Sequence, residues 1–287
     1  MGLLALLGIM AFSLGAAARV DLAQTRRFQD ETAAELLSKA GVEWAIAYLN
    51  GVAQEGIAWQ APWTTSAPTF RGRALGPGVF DIQHIDGQGK WGDGLRDEEA
   101  RVNLNTAPTA LLAALPGIGA TVAEQLVARR QQTPWRVPEE VVQEGLLTPS
   151  AWHGSESQVG LSAYLTVWGN GKINVNTASA VVLAALPGMT QPMVAAIMRY
   201  RQGEDAQQDT DDDRHFRTLA ALAWLPEVGT PGVARLGALL TVTSSAFRLV
   251  ATGRVLAGTS QERVSRRLVV VERTGQATAL RYWRQLH

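Results

Sequence analysis

The chain has 287 residues, 46% hydrophobic and 18% charged, which suits one large domain or two modest ones. Its 26 basic and 26 acidic side chains cancel, which argues against a protein that binds phosphates across its whole surface. No cysteine occurs, so disulfides and thiolate metal sites are excluded.

The first element begins in Gly2–Ala18, an uncharged apolar run slightly shorter than the roughly 20 residues of a spanning helix. The polar continuation holds no proline and no glycine before Gly41. Leu22, Phe28, Ala33, Leu36, Leu37, Ala40, Trp44 and Leu49 follow mostly three or four apart. This predicts one helix from about residue 2 to 49, stopped by Asn50 and Gly51. At 1.5 Å per residue it would span roughly 70 Å. The alternative is a signal peptide followed by a separate amphipathic helix.

After Gly51 the text is rich in Gly, Pro, Trp and Thr. Val79–Asp86 alternates and reads as a strand, and Asp86–Gly94 reads as a loop. Then "VNLNTAPTALLAALPGIG" (Val102–Gly119) is answered by "INVNTASAVVLAALPGMT" (Ile173–Thr190). Asn103 and Asn174 set the offset at 71 residues. Two related helical units are expected, at 101–145 and 172–225. Thr106 and Thr177 are the expected N-caps, and Pro108 suits the first turn. Asn103, Asn105, Asn174 and Asn176 favour tight turns through side-chain to backbone bonds. Leu111, Leu112 and Leu115, and in the twin Val182, Leu183 and Leu186, supply the apolar faces. Between the units Ser162–Lys172 is β-like, with a Gly-Asn-Gly turn. After about residue 232, Val- and Thr-rich runs predict three or four antiparallel strands.

The fold expected is therefore α+β. Residues 1–50 form the hydrophobic to amphipathic helix, 51–98 open the sheet domain, 99–232 form an inserted all-helical domain, and 233–287 complete the sheet.

Gly117, Ile118 and Gly119 make the turn with which a DNA-binding helix–hairpin–helix approaches a phosphate, and Arg129 and Arg130 add cations. The twin lacks the second glycine, with Thr190 in its place, and stands beside an acidic run. That argues against nucleic acid as a partner. The run holds Glu204, Asp205, Asp209, Asp211 and Asp213, carboxylates of the kind a calcium ion takes. It lacks the spacing of an EF-hand loop, so a solvated acidic loop stands beside calcium as a reading. His84, His153, His215 and His287 show no zinc spacing and no catalytic partner, and no phosphate-binding loop is present. Nothing in the motifs points to an enzyme.

Three stretches together carry a resemblance: the apolar start running into "LLSKAGVEWAIAYLN", the paired Asn-Thr-Ala motifs from "GDGLRDEEARVNLNTAP" to "INVNTASAVVLAALPG", and the final "SSAFRLVATGRV", "RRLVVVERTG" and "ALRYWRQ". The chain resembles the minor pseudopilin K family of the type II secretion system along nearly its whole length. The resemblance implies a pilin-like domain with the two helix–hairpin–helix-like units inserted in it. It also implies a place at the pseudopilus tip with the minor pseudopilins I and J, above the major pseudopilin, and a role in starting assembly. The protein would be a single-pass protein of the bacterial inner membrane with its bulk in the periplasm, it would need no cofactor, and calcium is associated with the family. A basic leader ending in Gly is expected ahead of Met1. On the first unit alone the chain is also similar to competence DNA receptors, which leaves a membrane-anchored DNA receptor as the alternative, along with a minor pilin of a type IV pilus.

Overall fold

The computed structural model describes residues 2–51, 67–86, 89–155, 158–207, 210, 212–256, 262–275 and 277–286. The expected helix is there: α1 (Gly2–Gly51) runs unbroken for 50 residues. A short α2 (Ala67–Phe70) leads into β1 (Arg73–Leu75), β2 (Gly78–Ile85), β3 (Trp91–Asp93) and β4 (Arg96–Asp97).

The first unit follows as β5 (Val102–Asn103), α3 (Thr109–Ala113), α4 (Gly119–Gln132), α5 (Glu140–Gln143), α6 (Pro149–His153), β6 (Gly154–Ser155), β7 (Gln158–Val159), a 3-10 turn at Leu161–Ala163 and β8 (Leu165–Thr166). The second is β9 (Ile173–Asn174), α7 (Ala180–Ala185), α8 (Gln191–Arg201), a 3-10 turn at Leu219–Trp224, α9 (Gly229–Leu236) and β10 (Leu240–Thr241). The chain ends in β11 (Ala246–Leu256), β12 (Glu262–Thr274) and β13 (Ala277–Leu286).

The main sheet has the order β1-β2-β11-β12-β13, with β3 on β2 and β4 on β11. All its pairings are antiparallel. The C-terminal half of α1 lies across it. Ala34, Leu37, Val42, Ala45 and Leu49 are buried against Phe80, Ile82, Leu249, Ala251 and Val269. Close approach is bought by small residues: a Cβ on Gly253 would stand 2.1 Å from the Ala34 carbonyl oxygen, and one on Gly41 would stand 3.2 Å from the Ala251 methyl. Among the described residues the N-terminal half has no such floor. Leu6, Met10, Phe12, Leu14 and Phe28 are exposed. From Leu6 the helix is long and apolar enough to cross a membrane, with mean hydropathy 1.6 in its best window.

A second, separate core joins the two units, from Val102 to Leu240. Two expectations about this insert are corrected. It is not all-helical: β5 pairs in parallel with β8, β9 in parallel with β10, and β6 with β7. Nor do the units stop at 145 and 225, because each closes on a strand that returns to its own first residues. Closing strands relieve a helical hairpin of backbone groups that its first strand would otherwise leave unpaired.

Candidate functional site

The two units share one hydrogen-bond plan. Val102 N donates to Tyr164 O and Leu104 N to Thr166 O; in the twin, Ile173 N donates to Leu239 O and Val175 N to Thr241 O. The side-chain oxygen of Asn103 accepts from Asn105 N, and that of Asn174 from Asn176 N, both at 2.9 Å. The asparagine turns expected from the sequence are thus present. The second asparagine of each pair does more. Asn105 accepts from Trp135 N and donates to Trp135 O. Asn176 accepts from Phe216 N and donates to the carbonyls of Phe216 and Val242. Each amide thereby replaces a strand partner for a distant chain segment.

The threonines do not cap. The helix α3 starts after Pro108 without a side-chain cap, and α7 is capped by Ser179, whose hydroxyl accepts from Val182 N at 3.3 Å. The hydroxyl of Thr177 instead donates to Asp97. The capping position falls two residues later than the motif suggests, because the Asn-turn consumes the threonine's backbone first: Thr177 N donates to Asn174 O.

Both basic residues of the first hairpin are spent inside the fold. Arg130 donates to the carbonyls of Leu104 and Ala107, at 2.8 and 2.7 Å. Its counterpart Arg201, 71 positions on, is buried and donates to Ala178 O at 2.6 Å. Arg129 is ion-paired with Glu144, lies 3.9 Å from Glu140 and covers the Trp135 ring. Gly117 and Gly119 do adopt the left-handed conformations of a hairpin turn, at φ +86° and +69°. The arginines stand at the far end of α4, roughly 15 Å of helix away.

The sequence reading missed a third hairpin. At the first two turns Leu115 N donates to Leu112 O and Ile118 N to Leu115 O, then Leu186 N to Leu183 O and Met189 N to Leu186 O. The same pair recurs as Leu225 N to Leu222 O and Val228 N to Leu225 O, with Gly229 at φ +57°. "LPEVG" (Leu225–Gly229) was the available signal, parallel to "LPGIG".

Also missed was the junction between sheet and insert. The chain enters through β4 and leaves through β11, paired side by side at Asp97↔Phe247 and Arg96↔Arg248. Here "RDEEAR" (Arg96–Arg101) buries Asp97, Glu98, Glu99 and Arg101. Asp97 accepts from Ser244, Thr177 and Asn174, so it ties the exit strand to the second unit. Glu98 accepts from Thr166 of the first unit and pairs with Arg248 at 2.8 Å and Arg101 at 3.4 Å. Glu99 accepts from the Ser245 hydroxyl and from the amides of Ser245 and Ala246.

The three carboxylates have been pushed apart. Burial, opposed by its hydroxyl donors, raises Asp97. Burial and the adjoining Asp97 charge push Glu99 up to about 8. Glu98 is just as deeply buried, yet Arg101 and Arg248 hold it below the ordinary range.

The described carboxylates of the acidic run find partners close by in the chain. Glu204 is paired with Arg214 at 3.0 Å, and Asp205 accepts from Gln207 N. Asp212 accepts from the amides of Glu204 and Asp205 and from the Thr210 hydroxyl. Asp213 is buried, and Thr210 N approaches it at 3.3 Å. Asp209 and Asp211 lie outside the described residues. Among the described residues no three metal-ligating side chains come together.

Comparison with known proteins matches the two units separately. Residues 97–141 fit the model of the helix-hairpin-helix motif. Residues 173–243, the whole second unit with its closing strand, fit the model described as type II secretion system (T2SS), protein K. No curated protein and no solved structure gave a match. The first helix is apolar enough to anchor in a membrane, and the second unit is similar to a component of type II secretion. Within that system the match is to the protein K family, which is the resemblance read from the sequence.

Proposed function

We propose that the chain is the minor pseudopilin that caps the tip of the type II secretion pseudopilus and helps start its assembly. The observation that carries this is the split of α1: among the described residues its apolar N-terminal half meets no partner surface, while its C-terminal half is the floor of the sheet domain. An exposed apolar half-helix suits lipid before assembly and the helices of neighbouring subunits afterwards. The anchor would sit in the inner membrane and the folded part in the periplasm. Its partners would be the minor pseudopilins I and J and, below them, the major pseudopilin. The insert adds a second core about twice as large as the pilin-like one and would obstruct a further subunit above it. Gold-labelled antibody against the insert should mark one end of sheared pseudopili; labelling along the shaft would defeat the capping role.

DNA binding is the weaker reading, since the hairpin arginines are held by carbonyls and carboxylates. It predicts a low-salt gel shift that replacement of Gly117 and Gly119 abolishes, and absence of any shift would end it. Calcium binding by Asp209, Asp211 and Asp213, with Glu204 and Asp205, is a separate proposal. Under it a chelator lowers the melting temperature of the wild type and leaves the Asp211→Ala/Asp213→Ala double mutant unchanged.

A further inference from the structure

The junction between sheet and insert encloses a cavity of about 230 Å³. Its wall is drawn from β2, β4, β11, β12 and β13 of the sheet and from α6 and the Leu161–Ala163 turn of the first unit. Four guanidinium groups face it, from Arg96, Arg101, Arg248 and Arg284, with the imidazoles of His84 and His153. Against them stand the carboxylates of Asp86 and Glu139, at the rim. Asp86 accepts from Lys90 N, and Glu139 lies 4.0 Å from Arg284.

Deeper in, the balance is more one-sided. Arg101 and Arg248 share a single carboxylate, Glu98. Arg101 is 98% buried, and its Nε has no hydrogen-bond partner among the described residues. Nδ1 of His84 is likewise buried without one. A guanidinium offers five donors in a fixed fork matched to oxyanions, and a buried donor left unmet is costly. The cavity is smaller than the pockets that take drug-sized ligands, which begin near ~300 Å³. It suits a small ion with a few waters.

We propose that this cavity is a binding site for a small oxyanion, held by Arg101 and Arg248 at its floor and Arg284 at its mouth. The ion would be either a tetrahedral anion or a carboxylate. Because the walls come from both cores, the bound anion would fix the angle between the insert and the sheet. The site is independent of the assembly reading and stands or falls separately.

The test is thermal unfolding of the full chain in detergent, with chloride replaced at constant ionic strength by inorganic phosphate or by succinate. Wild type should show a saturable rise in Tm with at least one of the two. The more effective anion tells tetrahedral from carboxylate. Arg101→Gln removes a floor residue but also strips Glu98 of a partner, so the decisive variant is Arg284→Gln, at the mouth and half exposed. It should fold, with Tm in chloride near wild type, and need at least about tenfold more anion for the same rise, the loss of one charge-assisted contact. No rise beyond that in chloride with either anion, or an Arg284→Gln titration that overlays the wild type, would overturn the site.

Discussion

At the scale of single residues, the paired Asn-Thr-Ala motif is a splice and not a cap. Asn105 and Asn176 each pin a chain segment that is 30 positions away in the first unit and 40 in the second. The ten extra positions fall in the acidic stretch, so the two units keep their anchors and differ in the loop between them. Replacing either asparagine with alanine leaves buried backbone donors and acceptors unmet. Each should cost about 3 kcal/mol in urea unfolding with the slope unchanged. Glu98 is the other residue on which much rests. Glu98→Gln would leave Arg101 and Arg248 without their shared counter-charge and should cost about 3–5 kcal/mol, read the same way.

Glu99 acts in the opposite sense. Its carboxyl is raised when folded, to about 8 from the usual 4.5. The folded state therefore holds a proton that the unfolded state has already released. This contribution is full below pH about 4.5 and is lost as pH rises through about 8. The raised Asp97 adds in the same direction, whereas the lowered Glu98 favours the folded state above the usual carboxylate range and loses that as pH falls. The lowered His84 and His215 act the other way, favouring the folded state as pH rises. The Glu99 contribution is therefore read as a difference: in denaturant melts at pH 5 and pH 8, Glu99→Gln should lose less stability, or gain more, on going to pH 8 than the wild type does.

At the scale of elements, the helix and the sheet were legible because their signals are local. An apolar run with three-and-four spacing and Val-rich runs separated by turns need no knowledge of their neighbours. Two features were not legible. The closing strands β8 and β10 are two residues long and pair with β5 and β9 more than 60 residues away, so no local periodicity announces them. "LTV" at Leu165–Val167 and again at Leu240–Val242 marks both, once the repeat is traced to its end. The buried "RDEEAR" stretch reads as a solvated charge run by composition, and only its position between paired strands turns it inward. The seat of α1 depends on glycine at the contact. Gly253→Ala would force its methyl against the Ala34 carbonyl, and should cost about 3 kcal/mol, at the upper end of overpacking. Gly41→Ala meets only the Ala251 methyl and the Phe80 ring, at 3.2 and 3.3 Å, and should cost less. Melting temperatures of the two variants give the comparison.

At the scale of the whole molecule, two cores are joined by adjacent entry and exit strands. The sheet core seats the helix that is long and apolar enough to cross a membrane, and the insert core repeats one unit twice. The candidate site was half legible: the repeat and its leucine faces are plain in the text, while the inward turn of Arg130 and Arg201 depends on carbonyls that only the folded repeat presents. A DNA reading of the first unit rests on its turn, and an assembly reading rests on all of it. The most direct test of the assembly reading is co-expression of the full chain with minor pseudopilins I and J, extraction in mild detergent, and gel filtration. The account predicts one stable complex holding all three proteins. Separate elution of this chain from I and J, with each protein folded, would contradict it.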